Sequence, residues 1–349
     1  MSRLKSAVTD AALELDLEHE NRRLRSALIR AQRAGSRKLR DTASYVEAVH
    51  TAVSDAVLAH GPANPIPTPA RTKSPHKPEV ALLHLTDWQL GKKSESFGIA
   101  TLRARIANAV TKTISLTEIQ RSHHPVDEIH VMLGGDMVEG ISIFPGQVFE
   151  VEANLFEQLI ACSGLIESAI KTLLGAFSKV VVWEEIGNHG RLGKKGEFQH
   201  GDNVDRMAYT IARNNTIATA GVGKRLVWNA FAGGIGTHVK IGDYTALLVH
   251  GDEIKSFGGN TPAFGILRKV TSWATGVLDP FTDAYMGHFH TPMDLTYANG
   301  HQIYITGSPE SDNGYAKEFM AATGKPSQRL HFVDPVKGRV TNRYTLWLD

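Results

Sequence analysis

The feature that most constrains this chain is one pattern repeated along it: a short apolar run that stops abruptly at glycine and a polar side chain. Val80–Leu85 runs into Thr86-Asp87-Trp88-Gln89-Leu90-Gly91. Residues 129–133 run into Gly134-Gly135-Asp136-Met137-Val138-Glu139-Gly140, and residues 180–186 into Gly187-Asn188-His189-Gly190-Arg191. Residues 244–249 end in His250-Gly251-Asp252, and Gly287-His288-Phe289-His290 follows. Runs this short, rich in Val, Leu and Ile, read as strands. Between them lie helical patterns, such as Leu155, Leu159, Cys162, Ile166, Ile170 and Leu173 at spacings of three and four. Strand–helix alternation predicts an α/β domain in which helices cover a sheet. Cys162 falls on the apolar face of its helix and reads as packing rather than a nucleophile. As the single cysteine it also excludes an intrachain disulfide and a multi-thiolate zinc site.

Proline sets the second constraint. Six of the 14 prolines fall between Pro62 and Pro78, a density that forbids helix and predicts an extended linker over residues 61–79. It separates a helical, partly basic segment, 1–60, from the α/β domain, 80–349. In the helical segment Leu17, Asn21, Leu24 and Leu28 fit d, a, d and a heptad positions, a run too short to specify a coiled coil by itself. Val46, Val49, Val53 and Val57 share one helical face. Residues 22–40 carry eight basic side chains and no acid. Three readings stay open for this segment: a solvated helix with one packing stripe, a phosphate-backbone binder, and a homo-oligomer contact through the N-terminal helices.

Bulk composition narrows the class. A net charge of +2 announces neither a nucleic-acid nor a membrane partner, and 42% hydrophobic with 21% charged residues excludes global disorder. The first residues lack the apolar core of a signal peptide, and no apolar run approaches the roughly 18 residues that span a bilayer. The expectation is a soluble, cytoplasmic protein without a membrane partner.

The polar groups at the strand ends carry the chemistry, because a rigid strand aims a side chain while the loop gives access to it. Twelve of the 16 histidines lie between His84 and His331. Carboxylates, an amide and imidazoles, with no thiolate, suit divalent Mn, Fe, Zn or Ni. Two ions about 3.5–4 Å apart need a bridging carboxylate, for which Asp136 is the natural candidate. Such a pair deprotonates a bridging water and neutralises charge growing on a phosphoryl centre. Each element alone is an ordinary turn; five in one order, four of them directly after a strand, are not.

That order resembles the calcineurin-like metallophosphoesterase superfamily, whose pattern runs D-x-H, G-D, G-N-H-[DE], H, G-H-x-H; the resemblance covers residues 80–310. It implies a two-sheet β-sandwich flanked by helices with a dinuclear site at the strand ends. By that resemblance Asp87, Gln89, Asp136 and His290 are ligands of one metal, and Asp136, Asn188, His250 and His288 of the other. Mn²⁺ is favoured, with Mg²⁺, Zn²⁺, Fe²⁺ and Ni²⁺ as alternatives. His189 matches the histidine that contacts the phosphate and assists the leaving group, and Arg191 is placed to contact a phosphate oxygen. Two positions depart from the pattern. Gln89 replaces a histidine, and Gly190 replaces the acid that orients His189, leaving Glu184, Glu185 and Asp202 as candidate partners. Glu139 falls where the pattern has a supporting acid.

The substrate implied is a phosphodiester of nucleic acid, DNA first, as in the Mre11/SbcD-type nuclease branch and phage-encoded relatives. Its grounds are the basic segment, Lys92, Lys93, Lys194, Lys195, Arg268 and Lys269 near the site, and Trp88, Tyr315 and Phe319 as base-stacking candidates. The alternatives are a phosphatase or cyclic-nucleotide phosphodiesterase of the same superfamily, and a binding or scaffold protein whose site has decayed.

Overall fold

The computed structural model describes residues 65–71, 73–254, 262–310 and 325–349. The chain divides between Ala59 and His60 into two units, and every described residue belongs to the second. The expectations placed on residues 1–60, and those on Tyr315 and Phe319, lie outside the described residues.

The described elements, in order, are β1 (Val80–Leu85), α1 (Ile99–Arg121), β2 (Glu128–Gly134), α2 (Leu155–Ala176), β3 (Lys179–Glu185) and α3 (Val204–Ile217). Then come β4 (Leu226–Asn229), β5 (Thr237–Ile241), β6 (Tyr244–Leu248), α4 (Ala263–Ser272), β7 (Asp283–Met286), β8 (Met293–Thr296), β9 (Gln302–Ile305), β10 (Ser327–Asp334) and β11 (Arg339–Trp347). They form two mixed sheets, ordered β11-β10-β1-β2-β3-β4 and β5-β6-β7-β9-β8. The expected α/β class and two-sheet architecture with flanking helices are present.

Side-chain alternation along each strand decides which layer it feeds. In β6, Tyr244, Ala246 and Leu248 join Val80, Leu82, Met132, Tyr285, Tyr304 and Val333 in a core between the sheets. Leu247 of the same strand and Val249 just beyond it point the other way, against Ile266 and Val270 of α4 and against Trp273. On the far side, α1 contacts β11 and α2 contacts β3. A capping box opens α2: the Asn154 side chain accepts from the Glu157 N–H at 3.0 Å, and Glu157 returns the bond to the Asn154 N–H at 2.9 Å. Among the described residues α2 alone is long and apolar enough by composition to cross a membrane. It packs against α1, α3 and β3 instead, and its buried Glu167 is bonded to Lys171 at 2.6 Å and Asn215 at 2.9 Å. Cys162 is buried on the apolar face, as its spacing predicts.

Register positions the site. β1, β2 and β3 run parallel with Leu85 opposite Leu133 and Leu133 opposite Glu184, so their C-terminal ends lie level. In the second sheet β6, β7 and β9 are also parallel, with Leu248 opposite Tyr285 and Met286 opposite Ile305. The sequence motifs extend from these ends.

Glu185, at the end of β3, is buried between the sheets, its carboxylate 3.3 Å from Thr237 Oγ1 of β5. Burial pushes its carboxyl up to about 8. The folded state therefore holds a proton that the unfolded chain releases near pH 4.5, and stability falls as pH rises between these values. In chelator-treated protein, Glu185→Gln should lose less melting temperature than the wild type between pH 5 and pH 8. Parallel melting curves for the two proteins across that range would contradict it.

Candidate metal centre

Local backbone geometry marks the site before any side-chain distance does. Six non-glycine residues among those described have positive φ, and five are Asp87 (52°), Gln89 (48°), Asp136 (50°), His288 (65°) and His290 (56°). Each such conformation costs about 1–3 kcal/mol unless the surroundings over-determine it. Strain gathered at five candidate ligands reflects loops shaped for side-chain direction rather than for local comfort.

Those loops bring the expected side chains together. Asp136, at the end of β2, is buried, and its Oδ1 accepts the His189 N–H at 2.7 Å. Its Oδ2 lies 3.0 Å from His250 Nε2, 3.5 Å from Gln89 Nε2 and 4.0 Å from His189 Nε2. Asn188 Oδ1 is 3.3 Å from His250 Nε2. His290 Nε2 stands 3.4 Å from Asp87 Oδ1 and 3.3 Å from Gln89 Nε2. Both Asp87 oxygens accept the His288 N–H, at 2.9 and 3.0 Å. Ligand atoms of Asp136, His250 and His288 all lie within 4.8 Å of one another.

Three imidazoles are set the same way round. His250 Nδ1 is 2.9 Å from the Gly134 carbonyl, His189 Nδ1 is 2.8 Å from the Glu139 carbonyl, and His290 Nδ1 is 3.2 Å from the Glu310 carboxylate. Each of these oxygens can only accept, so each Nδ1 carries the proton and each Nε2 is turned toward Asp136 or Asp87. Such an outer bond fixes ring angle and tautomer in metal-binding histidines.

Charge follows from this packing. Burial opposes ionisation of Asp136, but the imidazoles of His250 and His189 outweigh it and hold the carboxyl well below its usual range. Burial likewise opposes charge on His290, yet hydrogen bonds and charges from Asp87 and Glu310 push it up to about 10; Asp136 raises His250. Burial, then the neighbouring His250, brings His288 down to about 4, leaving it neutral. Two buried carboxylates thus draw positive charge into the centre. Oxygen and neutral imidazole donors with no thiolate fit a hard or borderline divalent cation. Gln89 Oε1 is buried without a hydrogen-bond partner; turning the amide over would present that oxygen to the centre.

The two departures have structural answers. Gly190 is packed on Asn203: a Cβ there would lie 2.2 Å from Asn203 Oδ1. His189 takes its support from the Glu139 carbonyl, and Gln147 holds Glu139 in turn, its Nε2 donating to that carbonyl at 2.8 Å and to the carboxylate at 2.9 Å. The candidate partners from sequence do other things: Glu184 accepts from Trp228 and Phe231, and Glu185 from Ile186. Gly187 is equally constrained, since a Cβ would meet the Asp136 N and Oδ1 at 2.1 Å.

Other expectations are corrected. Trp88 is fully buried and offers no stacking face. Lys92 is turned inward, 2.6 Å from the buried Glu310. Arg191 is held by Asp252 at 2.9 Å, with Lys195 at 3.4 Å from the same oxygen, so it must leave an ion pair to reach a phosphate. Lys93, Lys194, Arg268 and Lys269 are exposed, Lys269 over the Trp273 ring. In sequence, residues 307–315 read as a loop that could line the cleft, with no role assigned to Glu310, which stands behind His290, or to Asp205. The signal for Glu310 was its place in Gly307-Ser308-Pro309-Glu310, just past β9; Asp205 had none.

A ligand that binds only the folded state stabilises it by about 2.7 kcal/mol at a hundredfold excess over Kd. Manganese should therefore raise the melting temperature of chelator-treated protein by several degrees, and Asp136→Asn should abolish the rise. A melting temperature indifferent to manganese would exclude a metal centre here.

No protein-family model and no curated protein matches the chain. Similar solved structures include a predicted phosphoesterase from Streptococcus pneumoniae, 12% identical over 76% of this chain and 98% of that one, with a TM-score of 0.34. Zinc-complexed wild-type Vps29 from Entamoeba histolytica is 12% identical over 76% and 99%, TM-score 0.33. A metallophosphoesterase from Sphaerobacter thermophilus is 15% identical over 76% and 88%, TM-score 0.29. At these identities and scores the chemistry rests on the chain's own side chains.

Proposed function

We propose that this protein is a metal-dependent phosphoesterase of the calcineurin-like kind, with two divalent cations held between its sheets. Asp87, Gln89, Asp136 and His290 would hold one ion, and Asp136, Asn188, His250 and His288 the other. The observation that carries this reading is the common setting of His189, His250 and His290, each with Nδ1 anchored to oxygen and Nε2 facing a buried carboxylate. When bound, the ion pair supplies an activated water and neutralises charge on the phosphoryl oxygens.

The chain's own residues do the rest. Asp136 is shared by both halves of the site and fixes its spacing. His189 is partly exposed, and its Nδ1 proton is committed to Glu139, so Nε2 is the atom that carries a proton to the leaving oxygen. Arg191, freed from Asp252, adds a planar pair of donors to a phosphate oxygen.

Within that reading a phosphodiester of nucleic acid is the finer proposal, with manganese as the metal. It is supported by the basic residues 22–40 in the sequence and by the exposed Lys194 and Lys195, which line one cavity with Arg191. The inward Lys92 and the buried Trp88 do not contribute to it.

With manganese, bis-p-nitrophenyl phosphate should be cleaved faster than p-nitrophenyl phosphate, and single- or double-stranded DNA should be cleaved as well. A preference for the monoester, cyclic nucleotides or phosphopeptides would replace the nuclease reading by a phosphatase or cyclic-nucleotide one. Chelated protein that kept full activity would overturn the metal mechanism. His189→Ala should lose roughly 100-fold or more in kcat while binding as much manganese as the wild type; loss of the metal would make His189 a ligand instead.

A further inference from the structure

The loops that carry Asp136 and Asn188 meet a third element that belongs to neither. Asp205, in the first turn of α3, is fully buried. Its Oδ2 accepts the N–H of Asp136 at 2.9 Å and of Gly187 at 3.0 Å. Its Oδ1 accepts the N–H of Met137 at 3.0 Å and of Val138 at 3.2 Å. One carboxylate therefore gathers four main-chain donors from two loops that are 50 residues apart. Asn203 completes the corner. Its Oδ1 accepts the Asp205 N–H at 2.8 Å, and its Nδ2 donates to the Gly187 carbonyl at 2.8 Å.

The pattern of donors bears directly on the strained residue. The amides of Asp136 and Met137 flank the Asp136 Cα, so pinning both fixes the two peptide planes that define its φ and ψ. A left-handed aspartate costs free energy and persists only where its neighbours leave no alternative. The bond to Gly187 sets the next residue, Asn188, at a fixed distance from Asp136. The charge matters as well as the geometry. Four convergent N–H groups form a positive concavity that would repel a cation nearby, and the Asp205 carboxylate fills it.

We propose that the first turn of α3, through Asp205 supported by Asn203, is the positioning device of the metal centre: it sets the Asp136 backbone and its spacing to Asn188, and through them the affinity for cations. This rests on the metal-centre reading above. Asp205 touches no reacting atom; it acts through Asp136 and Asn188.

Asp205→Asn is nearly isosteric, yet either setting of the amide turns its NH₂ toward one pair of backbone donors. Titrating manganese chloride by calorimetry into chelator-treated wild type and Asp205→Asn should show a 10- to 100-fold loss of affinity in the variant. Cleavage of bis-p-nitrophenyl phosphate at saturating manganese should fall in kcat with KM little changed. Ile170→Ala, a buried substitution in α2, is the control for lost stability and should keep wild-type affinity. If Asp205→Asn does not fold, Asn203→Ser carries the test, since it keeps a helix cap and loses the bond to Gly187; a several-fold loss is expected. Wild-type affinity in the folded variant, or an equal loss in Ile170→Ala, would overturn the proposal while leaving the metal centre standing. A wild type that takes up no manganese would overturn the metal centre and this proposal together.

Discussion

The buried carboxylate of Asp136 is the interaction on which the rest of this structure depends. One oxygen accepts the His189 amide at 2.7 Å and the other lies 3.0 Å from His250 Nε2. The first ties together the ends of β2 and β3; the second joins the two sheets at their level edge. Burying an ion without a partner costs several kcal/mol or more, so the folded state requires positive charge at this point. In the absence of a cation, protons on His250 and His290 supply it. Fold stability and affinity for cations are consequently properties of the same few atoms.

Much of this was legible in the sequence. A strand that stops at Gly-Asp or Gly-Asn-His announces its direction and where it ends, and parallel register then brings the ends level without further information. The grouping of Asp87, Asp136, Asn188, His250, His288 and His290 came instead from the resemblance of their order to the superfamily pattern. What the sequence could not show were contacts made by main-chain atoms. His189 is oriented chiefly by the Glu139 carbonyl, and no residue type at position 139 encodes a carbonyl. Asp205 likewise acts on amides, so nothing about its partners is written in their side chains. The errors had a different origin. Trp88 and Lys92 read as substrate contacts because they lie in or just after a loop motif, whereas the backbone of residues 87–90 bonds to the loop after β2, Trp88 is buried and Lys92 pairs with the buried Glu310.

The two departures from the family pattern separate on physical grounds. Gly190 is a relocation: Asn203 occupies the space beside it, and orientation of His189 passes to the Glu139 carbonyl, with Gln147 holding Glu139 in place. The imidazole ends with the same donor atom committed and the same atom free. Gln89 is a change in chemistry. An amide offers a neutral oxygen where an imidazole would offer nitrogen, so in the proposed two-ion site position 89 would favour harder ions, and Asp87 and His290 would carry more of that half.

Glu310 compensates on that same half. It stands behind His290 at 3.2 Å, itself held by Lys92 at 2.6 Å, and a carboxylate bonded to Nδ1 makes the opposite nitrogen a stronger donor. In the proposed two-ion site a weaker donor at position 89 would therefore face a strengthened one at position 290, their Nε2 atoms lying 3.3 Å apart here. Lys92 and Glu310 lie close to the two ends of the motif-bearing region, one just after the first strand and one just after β9. Their ion pair closes that region around the centre. Burial opposes charge on Glu310, and His290 first, then Lys92, hold its carboxyl below the usual range; the inward turn that takes Lys92 away from a substrate thus adds to the support of His290.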